Sequence, residues 1–216
     1  MTPANNGSAA AVRILALGDS YTIGESVHAD ETWPCRLAGL LRAQGIATAV
    51  PTVVARTGWT TDELSAGIDA EHVSGTYDLV TLLIGVNNQY RGRAATEYRS
   101  QLAALLDRAI GFAGFRAERV LLLSIPDWGV TPFAAHRDRA GIVAEIDAYN
   151  AVGREEASRT GARFVDITPI SRRASVDPGL VAPDGLHPSG TMYAEWAQLL
   201  LPVAFAAVSG PVSRRA

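Results

Sequence analysis

Five short apolar runs punctuate the chain: Val12 to Leu17, Ile46 to Val54, Tyr77 to Ile84, Arg119 to Ile125 and Arg163 to Val165. Their length and near-continuous hydrophobicity suit strands covered on both faces. Between them, apolar residues recur at helical spacing. Trp33, Leu37, Leu40 and Leu41 mark one face of a helix from Glu31 to Gln44, with Pro34 in its first turn and Gly45 at its end. Tyr98, Leu102, Leu105, Leu106 and Ala109 mark a face of Ala94 to Phe112. Thr60 and Glu63 have the spacing of a capping box, so a helix is expected to begin there. Two more helices are predicted, over Asp138 to Arg159 and over Ser189 to Val208, the latter capped by Ser189 and packing Met192, Trp196, Leu199 and Leu200. Pro126 to Arg139 reads as a long connection and Asp166 to Pro188 as mostly irregular.

Strands alternating with helices imply a parallel sheet sandwiched between helical layers. The expected organisation is an N-terminal arm (1–11), one domain (12–208) and a C-terminal tail (209–216). In such folds the ligand crevice lies outside the carboxyl ends of the strands. Ser20, Gly58 and Asn87 each follow a predicted strand end and should therefore converge at one edge of the sheet.

Composition removes several chemistries. The chain has 216 residues, 48% of them apolar, and a net charge of −3, which offers no electrostatic footprint for nucleic acid. All 19 basic residues are arginine. Without lysine there is no Walker-type phosphate loop, no Schiff base and no Ser-Lys hydrolase. The single cysteine, Cys35, allows neither an internal disulfide nor a Cys-rich metal site, and it reads as a small buried apolar residue. Residues 1–11 lack a basic leader region, and no apolar run is seen to approach the roughly 18 residues of a membrane helix. A soluble, cytoplasmic protein without a membrane span is expected, and its oligomeric state is not readable.

The candidate chemistry lies in two loops. Gly18-Asp19-Ser20 closes the first strand and would present a hydroxyl at the sheet's rim. Such a weak nucleophile needs a base, and the base needs an orienting partner. Ala182-Pro183-Asp184-Gly185-Leu186-His187-Pro188 supplies both, with Asp184 and His187 three residues apart. Asp19, beside a turn, is expected to tie down local backbone. His28, His72 and His136 sit in polar segments without a metal-ligand pattern and are expected at the surface. The Gly-x-Ser-x-Gly elbow of α/β-hydrolases does not occur.

The chain resembles the SGNH hydrolases, or GDSL-type lipases and esterases, at four places in order: Gly18-Asp19-Ser20-Tyr21, Thr57-Gly58-Trp59-Thr60, Gly85-Val86-Asn87-Asn88 and Asp184-Gly185-Leu186-His187-Pro188. The resemblance implies a flavodoxin-like α/β/α sandwich with a five-stranded parallel sheet. It also implies a Ser20, His187 and Asp184 triad without metal or cofactor, and an oxyanion hole made by the Ser20 and Gly58 N–H groups and the Asn87 amide. Tyr21, Trp59 and Asn88 depart from the usual family residues. Tyr21, Trp59 and Tyr90 would form an aromatic rim, and Trp128 and Phe133 would either cap the pocket or cover the sheet. The expected substrate is a small ester, with short acyl groups favoured. Two other readings stay open: a metal-dependent phosphoesterase using Asp19, Asp184 and His187, and a non-catalytic binding module on the same fold.

Overall fold

A computed structural model describes residues 10–209, so most of the expected arm (1–11) and tail (209–216) lies outside the described residues. Five parallel strands form one sheet in the order β2-β1-β3-β4-β5: β1 Ile14–Asp19, β2 Thr52–Arg56, β3 Leu79–Leu83, β4 Val120–Leu123 and β5 Arg163–Val165. Every residue of β1, β3 and β4 is buried, as a sheet with helices on both faces requires. The helices are α1 Ser20–Ile23, α2 Trp33–Ala43, α3 Thr61–Ala70, α4 Val86–Tyr90, α5 Ala95–Phe112, α6 Arg139–Thr160, α7 Thr168–Arg172 and α8 Gly190–Ser209. The fold class is the expected α/β/α sandwich.

Local signals act as their chemistry dictates. The Glu63 carboxylate accepts the Thr60 N–H at 2.9 Å, opening α3. Tyr98, Leu102, Leu105, Leu106 and Ala109 form the buried face of α5.

Four expectations need correction. The second strand begins at Thr52 and not at Ile46, because Pro51 has no N–H for a ladder and the residues before it make only an isolated bridge between Val12 and Thr48. Leu199 is 39% exposed. The inward stripe of α8 runs through Tyr193, Trp196, Ala197, Leu200, Ala204 and Ala207, and Leu199 lies one residue, about 100°, off it. Cys35 is half-buried on α2, not buried. Finally, α8 is long and apolar enough to cross a membrane by length and composition, with a mean hydropathy of 1.2. Its polar Glu195 and Gln198 are diluted by alanine, leucine and valine. In the fold this helix lies against α2 with Trp196 and Leu200 fully buried.

Candidate active site

The parallel sheet delivers β1, β2 and β3 to one edge, and there the polar turns meet. Gly18 is required at the end of β1 by crowding: a Cβ on it would stand 2.1 Å from Thr22 Oγ1 and 2.5 Å from the Leu83 carbonyl. With no side chain there, the chain turns directly from strand into the four-residue α1, whose first residue is Ser20. Asp19 caps that helix by accepting the Tyr21 N–H at 3.0 Å.

Ser20, His187 and Asp184 form one hydrogen-bonded chain. His187 Nε2 lies 3.0 Å from Ser20 Oγ, and His187 Nδ1 lies 2.6 Å from Asp184 Oδ2. A carboxylate can only accept, so Nδ1 carries the proton and Nε2 is left as acceptor for the serine hydroxyl. Ser20 and His187 are buried. Partial burial would raise the Asp184 carboxyl, but hydrogen bonds from His187 Nδ1, from the Leu186 and His187 N–H groups and from the Ser26 hydroxyl outweigh it and hold it well below the usual carboxylate range. Asp184 is therefore a permanent anion behind the imidazole. The Tyr21 ring flanks His187 at 5.1 Å between centroids, and burial, with Asp19 and Asp184 adding to it, pushes the Tyr21 phenol upward, so it stays neutral.

Gly58 adopts φ +83°, a conformation natural to glycine, and among the described residues its N–H has no acceptor. Its carbonyl accepts Arg91 Nη2 at 2.7 Å, which fixes the peptide. Asn87 Nδ2 donates to the Trp59 carbonyl at 3.0 Å and to Asp19 Oδ2 at 3.3 Å. Asp19 is fully buried, and desolvation raises its carboxyl to about 7 against the lowering effect of the Tyr21 N–H and Asn87 bonds. Asn88 is a structural neighbour: its amide accepts the Thr61 N–H at 3.1 Å and donates to Thr61 Oγ1 at 2.7 Å, holding the start of α3.

Beside Ser20 lies a cavity of about 160 Å³ lined by Tyr21, Gly58, Asn87, Tyr90, Trp128 and His187, with Thr57, Val86, Phe133 and Leu186 completing it. Tyr90, Trp128 and Phe133 are mutually packed, with centroids 5.3 to 6.2 Å apart. Trp128 is the buried wall of the three, while Tyr90 and Phe133 are 46% and 45% exposed at the mouth. Gln89 accepts Trp128 Nε1 at 2.7 Å and donates to Glu145 at 2.7 Å, so the wall is braced from α6. The Phe133 N–H donates to the Gly185 carbonyl at 2.9 Å, joining the long connection to the histidine loop.

Of the expected rim, Tyr21 and Tyr90 line the cavity, and of the two alternatives for Trp128 and Phe133 the structure places both in the cavity wall. Trp59 does not line it: its ring is laid over Gly67 on α3, where a side chain larger than hydrogen would collide with it at 2.1 Å. The glycine on the adjoining helix supplies the apolar slot that draws the indole away from the rim. His28, His72 and His136 are exposed. Among the described residues no three His, Cys, Asp or Glu side chains are gathered as a metal ion would need. Sequence reasoning misses Ser26 and the bracing role of Gln89, and Ser26 carries no local signal that would find it.

The GDSL-like lipase/acylhydrolase family model matches residues 16–195. No curated protein matches the sequence. Among solved structures, TesA is similar at 21% identity and a TM-score of 0.70, covering 90% of this chain and 99% of its own. A lipolytic G-D-S-L family protein from Veillonella parvula is 18% identical with a TM-score of 0.67, covering 93% and 100%. Axe2, an acetylxylan esterase from Geobacillus stearothermophilus, is 20% identical with a TM-score of 0.65, covering 94% and 97%.

Proposed function

The chain belongs to the GDSL-like lipase/acylhydrolase family of ester-cleaving hydrolases, and on that premise we propose that it is a serine esterase acting on short-chain carboxylic esters through an acyl-enzyme on Ser20. The observation that carries this reading is the Ser20–His187–Asp184 chain, with contacts of 3.0 and 2.6 Å and a single consistent tautomer. Ser20 Oγ attacks the acyl carbon while His187 Nε2 takes its proton. Asp184 keeps the imidazole oriented and stabilises the imidazolium that forms. The oxyanion is met by the Ser20 and Gly58 N–H groups and by the Asn87 amide, whose longer hydrogen bond, the one to Asp19, is the one that yields. His187 then gives its proton to the departing alkoxide, and water attacks the acyl-enzyme by the same route in reverse.

The pocket supports a small acyl group. A cavity of about 160 Å³ holds roughly five water-sized groups of ~30 Å³ each, room for acetyl to butyryl. That one structural neighbour is an acetylxylan esterase accords with an acetyl substrate. The test is a series of p-nitrophenyl esters from acetyl to long chain, run on the wild type and on Ser20→Ala. Acetate and butyrate should be the best substrates, and Ser20→Ala should lower kcat by at least about 10⁴-fold with the fold intact. Hydrolysis surviving in Ser20→Ala, or lost to a chelator, would refute the mechanism.

A further inference from the structure

Asp184 is held by four hydrogen bonds, and three of them come from its own loop. Oδ1 accepts the Leu186 N–H at 2.9 Å and the His187 N–H at 3.0 Å, and Oδ2 accepts His187 Nδ1 at 2.6 Å. The fourth comes from 158 residues away: Ser26 Oγ donates to Oδ2 at 2.8 Å. A carboxylate offers about four acceptor sites, so this bond completes the set. We propose that Ser26 is a positioning residue for the Asp184–His187 pair, tying the loop that carries the pair to the segment that carries Ser20. The proposal rests on the serine-esterase reading and deepens it.

Two further observations support it. Ser26 has φ +64°, the left-handed conformation that serine adopts at a cost and glycine does not. The residue is exposed and buries no apolar surface that would repay that cost. Strain of this kind, kept at a residue whose one side-chain hydrogen bond reaches the site, points toward function. The surrounding segment also acts as a strap. Gly24 and Glu25 donate their N–H groups to the Ser20 carbonyl at 3.1 and 3.0 Å, closing α1. The Glu25 carboxylate accepts the hydroxyl of Thr57, on the cavity rim beside Gly58. Three consecutive residues thus join the Ser20 helix to the Gly58 loop on one side and to the Asp184 loop on the other. Without Ser26 the Asp184 carboxylate is tied only to its own loop, and no side-chain hydrogen bond links it to the segment that carries Ser20 except through His187.

Ser26→Gly separates the hydrogen bond from the backbone. It removes the hydroxyl while relieving the left-handed strain, whereas Ser26→Ala removes the hydroxyl and keeps the strain. In p-nitrophenyl acetate hydrolysis both variants should lose about tenfold in kcat, as expected for one hydrogen bond to a charged group, with KM within about twofold of wild type. Thermal stability should move the other way in Ser26→Gly, which should melt at or above the wild-type temperature. A residue that merely shaped the loop would leave Ser26→Gly fully active. The second readout needs no turnover: the downfield proton resonance of His187 Nδ1–H should exchange faster with solvent in Ser26→Gly. Wild-type kcat together with an unchanged resonance would overturn the role of Ser26 while leaving the esterase reading intact. Hydrolysis that survives Ser20→Ala would overturn that reading instead, and the resonance would still decide whether Ser26 holds the pair.

Discussion

Asp19→Asn should change how stability depends on pH, and the size follows from burial. The Asp19 side chain is fully enclosed, with Oδ1 on the Tyr21 N–H at 3.0 Å and Oδ2 on Asn87 Nδ2 at 3.3 Å. No cation contacts it among the described residues. Desolvation lifts its pKa from 3.8 to about 7, more than the two hydrogen bonds lower it. The folded chain therefore keeps this proton up to about pH 7, while the unfolded chain releases it above 3.8. Between those values the native state binds more protons. The contribution of Asp19 to stability is complete below the lower value, falls as pH rises, and is level again above about 7. A shift of about three units corresponds to about 4 kcal/mol, of which about 3 kcal/mol is lost between pH 5 and 8. Asparagine has the same shape, can still accept the Tyr21 N–H and cannot ionise. Melting both proteins by calorimetry at pH 5 and pH 8, and taking the difference at each, cancels every other titrating group. The gap in favour of Asp19→Asn should widen by roughly 6–12 °C from pH 5 to 8, at about 2–4 °C per kcal/mol for a chain of this size. A gap constant to within about 2 °C would show that burial does not control this carboxyl, and the reasoning would fail.

Three other outcomes can be checked. Asn87→Ala should lower kcat by about 10²- to 10³-fold with little change in KM, and a near-normal rate would mean that its amide does not meet the oxyanion. Gly18→Ala forces a Cβ to within 2.5 Å of the Leu83 carbonyl, which is held in the sheet, so a loss of about 3 kcal/mol or more is expected in urea unfolding. A loss below about 1 kcal/mol would contradict the packing at that turn. Trp128→Ala removes the braced wall of the cavity, and the ratio of hexanoate to acetate kcat/KM should rise at least about tenfold. An unchanged chain-length profile would put the acyl group elsewhere.

Much of the architecture was legible because the signals behind it are local. A buried parallel strand needs apolar residues in succession, so Leu79 to Leu83 and Val120 to Leu123 stand out in the sequence. The start of α3 is written in Thr60 and Glu63, and the inner face of α5 in its helical spacing. The edge strand β2 was harder to place. Only Val54 of it is buried, and the β-rich segment that leads into it is interrupted by Pro51, so composition beginning at Ile46 carries no mark of where pairing with β1 starts. Leu199 and Cys35 depart from the burial expected of them because apolar character alone does not say which way a helix turns its faces.

The same boundary divides the site. Ser20, Asp184 and His187 could be named from sequence, since each lies in a short motif at a strand end or before a helix, where the sheet topology must bring such motifs to one edge. Their distances, the tautomer of His187 and the size of the cavity depend on how separate loops pack. Trp59 was drawn off the rim by Gly67 on a neighbouring helix, and Ser26 reached Asp184 across 158 residues. The sequence by itself determined the elements and the residues available for chemistry, because hydrophobic period, caps and turns act within a few residues. Only the tertiary structure decided which side chains face the cavity and which hold the acid in place, because those contacts join loops whose neighbours are set by strand order.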